Sequence, residues 1–207
     1  MPYFKKINLL FIHIPKTGGS NIENFFFCKL NENPSFYHIF SYNLNLRFNH
    51  HSLQHCTYQE LVENQQFFNI HFNNDLKILS VVRNPYERII SDLFFFKLTD
   101  NSKSQESIQK TIEYYLHHKS NFDNHKIPQY HFLIDKEDKI PSNIIILKNE
   151  TLNEEMKKNG YPKFEYFCKD YTKKSYIYLL NEKSIKMINT YYKRDFECFN
   201  YEMIDFK

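Results

Sequence analysis

The sequence predicts an α/β fold in which a central parallel sheet is flanked by helices, and three observations carry that prediction. Short apolar, β-branched runs recur at Leu9 to His13, Lys77 to Val82 and Ser142 to Leu147. The first two end in turns that contain Gly, or Asn followed by Pro, and each turn opens a segment with helical spacing. Strands and helices therefore alternate along the chain, which is the signature of parallel strands joined by helical crossovers.

Taken in order, residues 7 to 13 read as the first strand and residues 20 to 30 as a helix with Ile22, Phe25, Phe26 and Lys29 at helical spacing. A His- and Asn-rich region over 31 to 55 precedes a helix near 57 to 66. The second strand spans 77 to 83, with helices near 85 to 98 and 104 to 118. The third strand ends at Leu147, and helices near 150 to 158 and 181 to 194 complete the order. Polar stretches at 100 to 106 and 135 to 138 read as turns rather than linkers, so residues 1 to 207 are expected to form one domain. Ligands of such sheets sit beyond the carboxyl ends of the strands.

Composition narrows the class. With 42% hydrophobic and 18% aromatic residues the chain has enough apolar material for a core, and 21 Phe with 16 Tyr must fill it, because alanine and tryptophan are absent. A net charge of +3 is too small to signal a nucleic-acid binder. No apolar stretch reaches membrane-spanning length, and Met1 to Lys6 lead straight into the first strand, so the expectation is a cytoplasmic protein or one trimmed of an anchor. Cys28, Cys56, Cys168 and Cys198 show no paired spacing and are expected to be thiols, and the ten His show no ordered ligand spacing, so no metal is expected.

Only three glycines occur, and two are adjacent in His13-Ile14-Pro15-Lys16-Thr17-Gly18-Gly19-Ser20-Asn21. A strand, a Gly turn and a helix start direct free backbone N–H groups at one point near the positive end of a helix, where a phosphate or sulfate is held. Lys16 adds a full charge there. In a Walker A loop the Lys follows the last Gly; here it precedes the pair, which argues against an ATP- or GTP-hydrolysing loop. A second strand, turn and helix follows at Arg83-Asn84-Pro85-Tyr86-Glu87-Arg88-Ile89-Ile90-Ser91. Pro85 suits a first helical turn. This six-residue span from Arg83 to Arg88 holds two of the four Arg in the chain, and a guanidinium fork suits phosphate.

His-Ile-Pro-Lys-Thr-Gly-Gly-Ser closely resembles the 5′-phosphosulfate loop of sulfotransferases that use 3′-phosphoadenosine 5′-phosphosulfate (PAPS), particularly the branch of Golgi carbohydrate sulfotransferases. The Arg83 to Ser91 segment resembles the 3′-phosphate motif of the same family. Weaker matches follow in the family's order: Gln54 to Leu61, Ile127 to Tyr130, Ile144 to Leu152 and Tyr191 to Tyr201. The resemblance implies a P-loop-like, three-layer sulfotransferase fold, PAPS as donor, no metal, and an acceptor hydroxyl on a carbohydrate. It places Pro15, Lys16, Thr17, Gly18, Gly19, Ser20 and Asn21 at the phosphosulfate, and Arg83 with Ser91 at the 3′-phosphate.

Sulfuryl transfer also needs stabilisation of the leaving phosphate, which Lys16 and the loop N–H groups can supply, and a base for the acceptor hydroxyl, for which His is the natural choice. The family segment points first to His55. His50 and His51 are the runners-up, and Glu23 or another carboxylate comes after them. His13 is expected to pack beneath the loop. Thr17 either touches donor oxygens or stabilises the turn, and Arg88 either meets the anion or pairs with Glu87, Asp92 or a backbone carbonyl. Glu150 has a structural or an acceptor-side role. Two other readings stand beside transfer. A P-loop kinase calls for Mg²⁺ and a Walker-type Lys, which the sequence lacks, and a donor-binding relative without catalysis keeps the loop but has no base.

Overall fold

The computed structural model describes residues 2–31, 51–165 and 175–206, and the chain groups into two compact units, Met1–Val82 with Gln129–Phe167 and Arg83–Pro128 with Cys168–Lys207. The first unit contains the sheet. Its strands are β1 (Tyr3–Phe4), β2 (Leu9–Ile12), β3 (Lys77–Val82) and β4 (Ile144–Lys148), paired in that order. β2, β3 and β4 are parallel, with Phe11 opposite Leu79 and Val81 opposite Leu147. The helices of this unit are α1 (Gly19–Leu30), the short α2 (Tyr58–Glu63) and α3 (Gln65–Phe68), and, after the second unit's first helices, one more at Leu152–Lys158.

The sheet is mixed rather than wholly parallel. β1 runs antiparallel to β2, with Tyr3 opposite Leu10 and Phe4 opposite Leu9. A 3₁₀ turn at Lys5–Ile7 and a left-handed Asn8 reverse the chain, and the Tyr3 hydroxyl donates to Asn8 Oδ1 at 2.8 Å. Two residues are too few to show a period of two, so this strand left no pattern in the sequence.

All four residues of β2 are buried. Alternation sends Leu9, Phe11, Leu79, Val81 and Leu147 into one cluster, where they meet Ile22 and Phe26 of α1 and Leu152 and Met156 of the later helix. Phe4 fills the gap against Phe26 and Phe27, at ring separations of 5.0 and 5.1 Å. Aromatic rings thus replace the alanines and tryptophans that the chain lacks. The helix expected over 57 to 66 breaks at Asn64, whose φ of −111° and ψ of 23° depart from helical values, giving α2 and α3.

The second unit is helical: α4 (Pro85–Phe95), α5 (Gln105–His117) and, beyond α6 (Leu152–Lys158) of the first unit, α7 (Glu182–Tyr191) and α8 (Lys193–Phe199). Asn84 caps α4 by accepting from Tyr86 N at 3.0 Å, and Pro85 occupies the first turn as its fixed φ favours. Tyr86, Ile89, Ile90 and Leu93 of α4 pack with Ile108, Ile112 and Tyr115 of α5 and with Ile185, Ile188 and Phe196. The single helix expected over 181 to 194 is divided at Tyr192, with φ −105° and ψ 22°. Among the described residues, no helix is long and apolar enough to cross a membrane.

Candidate functional site

The glycine loop follows β2 directly and ends in α1. Lys16 has a φ of +65° and Gly18 a φ of +94°, so the turn is built from two left-handed residues. Gly18 occupies the N-cap of α1, and among the described residues no side chain caps that end. Ser20 therefore does not cap the helix; it sits exposed inside the first turn. The first N–H groups of a helix have no intrahelical acceptor. An uncapped helix start next to a left-handed Gly is a geometry suited to an anion.

Gly19 is required for a different reason. A Cβ there would lie 2.8 to 2.9 Å from three atoms of the His13 imidazole, closer than real Cβ contacts allow. His13 lies beneath the loop as expected, only 5% exposed, with Nδ1 at 2.5 Å from Glu23 Oε1. The Gln54 amide donates to both Glu23 oxygens, at 3.1 and 3.0 Å. Burial pushes the Glu23 carboxyl up, but His13 and Gln54 outweigh it and hold the group below its ordinary value. With both oxygens engaged, Glu23 serves as the loop's support and is a poor proton acceptor for a substrate.

Thr17 is fully buried, and its hydroxyl donates to Ile14 O at 2.8 Å, which is the turn-stabilising role. The Asn149 side chain, at the end of β4, donates to Thr17 O at 2.7 Å. That tie between the third parallel strand and the loop was missed in the sequence, as was the part played by Gln54. Glu150 is exposed in the 3₁₀ turn after β4. Of the remaining loop residues, Lys16, Gly18 and Asn21 are half-buried, and Asn21 N donates to Gly18 O at 3.1 Å.

The base candidates occupy one short segment. His55 closes a 3₁₀ turn, Leu53–His55, and is 6% exposed, with Nδ1 at 3.3 Å from Ser52 Oγ. Its ring lies edge-on to that of His13, 5.5 Å between centroids. The fold therefore brings His55 to the imidazole that supports the glycine loop. His51 is committed at both nitrogens, Nδ1 to Ser52 O at 2.9 Å and Nε2 to Glu60 Oε1 at 2.9 Å. His50 lies outside the described residues.

In the second unit Arg83 is half-buried beside Glu87, 3.6 Å away, with its guanidinium 5.8 Å from the centre of the Tyr176 ring. Glu87 itself accepts from Tyr176 N at 2.8 Å, which holds the carboxylate that Arg83 faces. Ser91 is half-buried on α4. Arg88 turns inward instead: it is 2% exposed, and its guanidinium donates to Ile127 O at 3.0 Å and His125 O at 2.6 Å. Of the alternatives read from the sequence, the backbone carbonyls hold it. Below Arg88, Asp92 accepts from the Tyr115 hydroxyl at 3.2 Å and meets His125 Nδ1 at 2.7 Å, and burial, then the Asp92 charge, pushes the Tyr115 phenol far above its usual range. This buried network gives His125 a structural role.

The chain matches the model of the Sulfotransferase family over residues 3–202. No curated protein and no solved structure matches it.

Proposed function

Since the chain belongs to the Sulfotransferase family, whose members are PAPS-dependent transferases, we propose that it transfers the sulfuryl group of PAPS to a carbohydrate hydroxyl, with His55 as base. The observation that carries the donor end is the uncapped start of α1 behind left-handed Gly18, supported from below by His13. In this reading Lys16 and the N–H groups of Gly19 and Ser20 hold charge on the 5′-phosphate oxygen while its bond to sulfur breaks. Arg83 and Ser91 hold the 3′-phosphate.

His55 takes the hydroxyl proton as the acceptor oxygen bonds to sulfur. Three facts favour it over its neighbours: its ring approaches that of His13, Ser52 orients its Nδ1, and His51 already engages a carbonyl and a carboxylate. The donor-binding relative without catalysis is the second reading, and it differs in one measurable respect.

Radiolabelled PAPS incubated with desulfated glycosaminoglycans, neutral glycans and small phenols separates these readings. The proposal expects label on a glycan and a loss of roughly a hundredfold or more in turnover for His55→Ala, with donor affinity unchanged. Label on phenols alone contradicts the acceptor class. Full activity in His55→Ala contradicts the base, and no label on any acceptor favours the binding relative.

A further inference from the structure

We infer that His51, Cys56 and Glu60 form a site for one divalent metal ion of the zinc class, an inference that stands independently of the transfer reading. The spacing of these residues follows no familiar ligand motif, which is why the sequence predicted no metal. In the fold, a ring nitrogen of His51, Cys56 Sγ and a Glu60 carboxylate oxygen all lie within 4.8 Å of one another. His51 and Cys56 are buried, at 5% and 0% exposure.

Hydrogen bonding points to a cation between them. His51 Nδ1 faces Ser52 O at 2.9 Å, and a carbonyl only accepts, so Nδ1 carries a proton. In neutral imidazole Nε2 is then a lone pair, yet it faces Glu60 Oε1 at 2.9 Å. Glu60 Oε2 accepts from Thr57 N at 2.7 Å and from the Thr57 hydroxyl at 2.9 Å, the arrangement of an ionised carboxylate closing a capping box. Two acceptors facing each other need a positive charge between them. A proton makes His51 an imidazolium; a metal ion does the same work and also takes up the neighbouring thiol.

The ligand chemistry selects the metal. One imidazole, one thiolate and one carboxylate suit zinc, a borderline-soft ion bound by N, S and O at about 2.0 to 2.3 Å. Tetrahedral bonds of that length hold neighbouring ligand atoms roughly 3.3 to 3.8 Å apart. Seating the ion therefore widens the His51 to Glu60 separation by a few tenths of an ångström. Zn²⁺ enters as the imidazolium and the thiol each release one proton, leaving neutral imidazole, thiolate, carboxylate and Zn²⁺ with no net charge. The Ser52 carbonyl on Nδ1 is the outer partner that fixes the ligating tautomer. Three protein ligands leave a fourth position for water. His51 and Cys56 lie on either side of the 3₁₀ turn Leu53–His55, so the ion would pin the segment that carries His55.

The test uses the full chain, stripped with chelator and titrated with Zn²⁺ and separately with Co²⁺. We expect one Zn²⁺ per chain and a thiolate-to-cobalt charge-transfer band in the near ultraviolet, both with Cys28, Cys168 and Cys198 replaced by Ser so that Cys56 is the one thiol left. Glu60→Gln and Cys56→Ser should each weaken zinc binding by more than the roughly 10- to 100-fold that outer partners are worth. Should Cys56→Ser fail to fold, the cobalt band of the Cys56-only chain decides. Folded wild-type chain that takes up no stoichiometric zinc overturns the inference in favour of an imidazolium-carboxylate pair. So does a Cys56-only chain without the cobalt band, or a Glu60→Gln chain with wild-type zinc affinity.

Discussion

Gly19→Ala is the smallest change that tests the support beneath the loop. Its new methyl would stand 2.8 to 2.9 Å from Nε2, Cδ2 and Cε1 of His13, whereas ordinary contact begins near 3.4 Å, so the ring must retreat by about half an ångström. That retreat is opposed, because Nδ1 is held by Glu23 at 2.5 Å and lies 3.1 Å from the Gln54 amide. Alanine gains at most about 1 kcal/mol over glycine in a helix. Overpacking costs about 1 to 3 kcal/mol, and a weakened charge-assisted hydrogen bond about 1.5 to 3 kcal/mol when fully lost. The balance is a net destabilisation of about 1 to 3 kcal/mol, read by urea unfolding. The cause is isolated by a double-mutant cycle: in a His13→Ala background the same Gly19→Ala change should cost less than about 0.5 kcal/mol, because its clash is gone. A Gly19→Ala chain as stable as wild type, or an equal cost in both backgrounds, would show that the His13 ring does not bar a side chain at position 19.

Two further outcomes follow from the same geometry. Lys16→Ala should depress turnover even at saturating PAPS, while Arg83→Ala should mainly raise the apparent constant for PAPS; steady-state kinetics separates the two, and an unchanged turnover for Lys16→Ala removes it from leaving-group stabilisation. Glu23, held below its ordinary value of 4.5, contributes stability that is present above the unfolded value and lost as pH falls through the lower folded one. Urea midpoints measured downward from about pH 6 should therefore fall more steeply below about pH 4.5 in wild type than in Glu23→Gln, and parallel profiles would show that the pair carries no such linkage.

The parts that the sequence made legible are those in which one local constraint dominates. Strands β2, β3 and β4 announce themselves as apolar runs, the α4 start as Asn84-Pro85, and the loop as a glycine pair in a chain with one other glycine. Backbone sign explains Gly18, and a collision explains Gly19, so the two adjacent glycines are there for different reasons. What stayed hidden depends on residues distant in the chain. His13 meets Gln54 across 41 positions, and Asn149 reaches Thr17 across 132. No spacing rule connects such pairs. The two Arg of the second segment also looked alike in sequence, yet Arg88 is spent on two carbonyls inside the helical unit while Arg83 pairs near the surface with Glu87. Helix breaks at Asn64 and Tyr192 escaped notice because neither residue is Gly or Pro.

Use of a 3′-phosphorylated adenine nucleotide by this chain can be tested without knowing the acceptor. Isothermal calorimetry with 3′-phosphoadenosine 5′-phosphate and with AMP compares two ligands that differ only in the 3′-phosphate. A charged hydrogen-bonded contact is worth about 1.5 to 3 kcal/mol, or roughly 10- to 150-fold in affinity. The bisphosphate should bind at least tenfold more tightly, with most of that preference lost in Arg83→Ala. Equal affinities for the two nucleotides in the wild-type chain would contradict it.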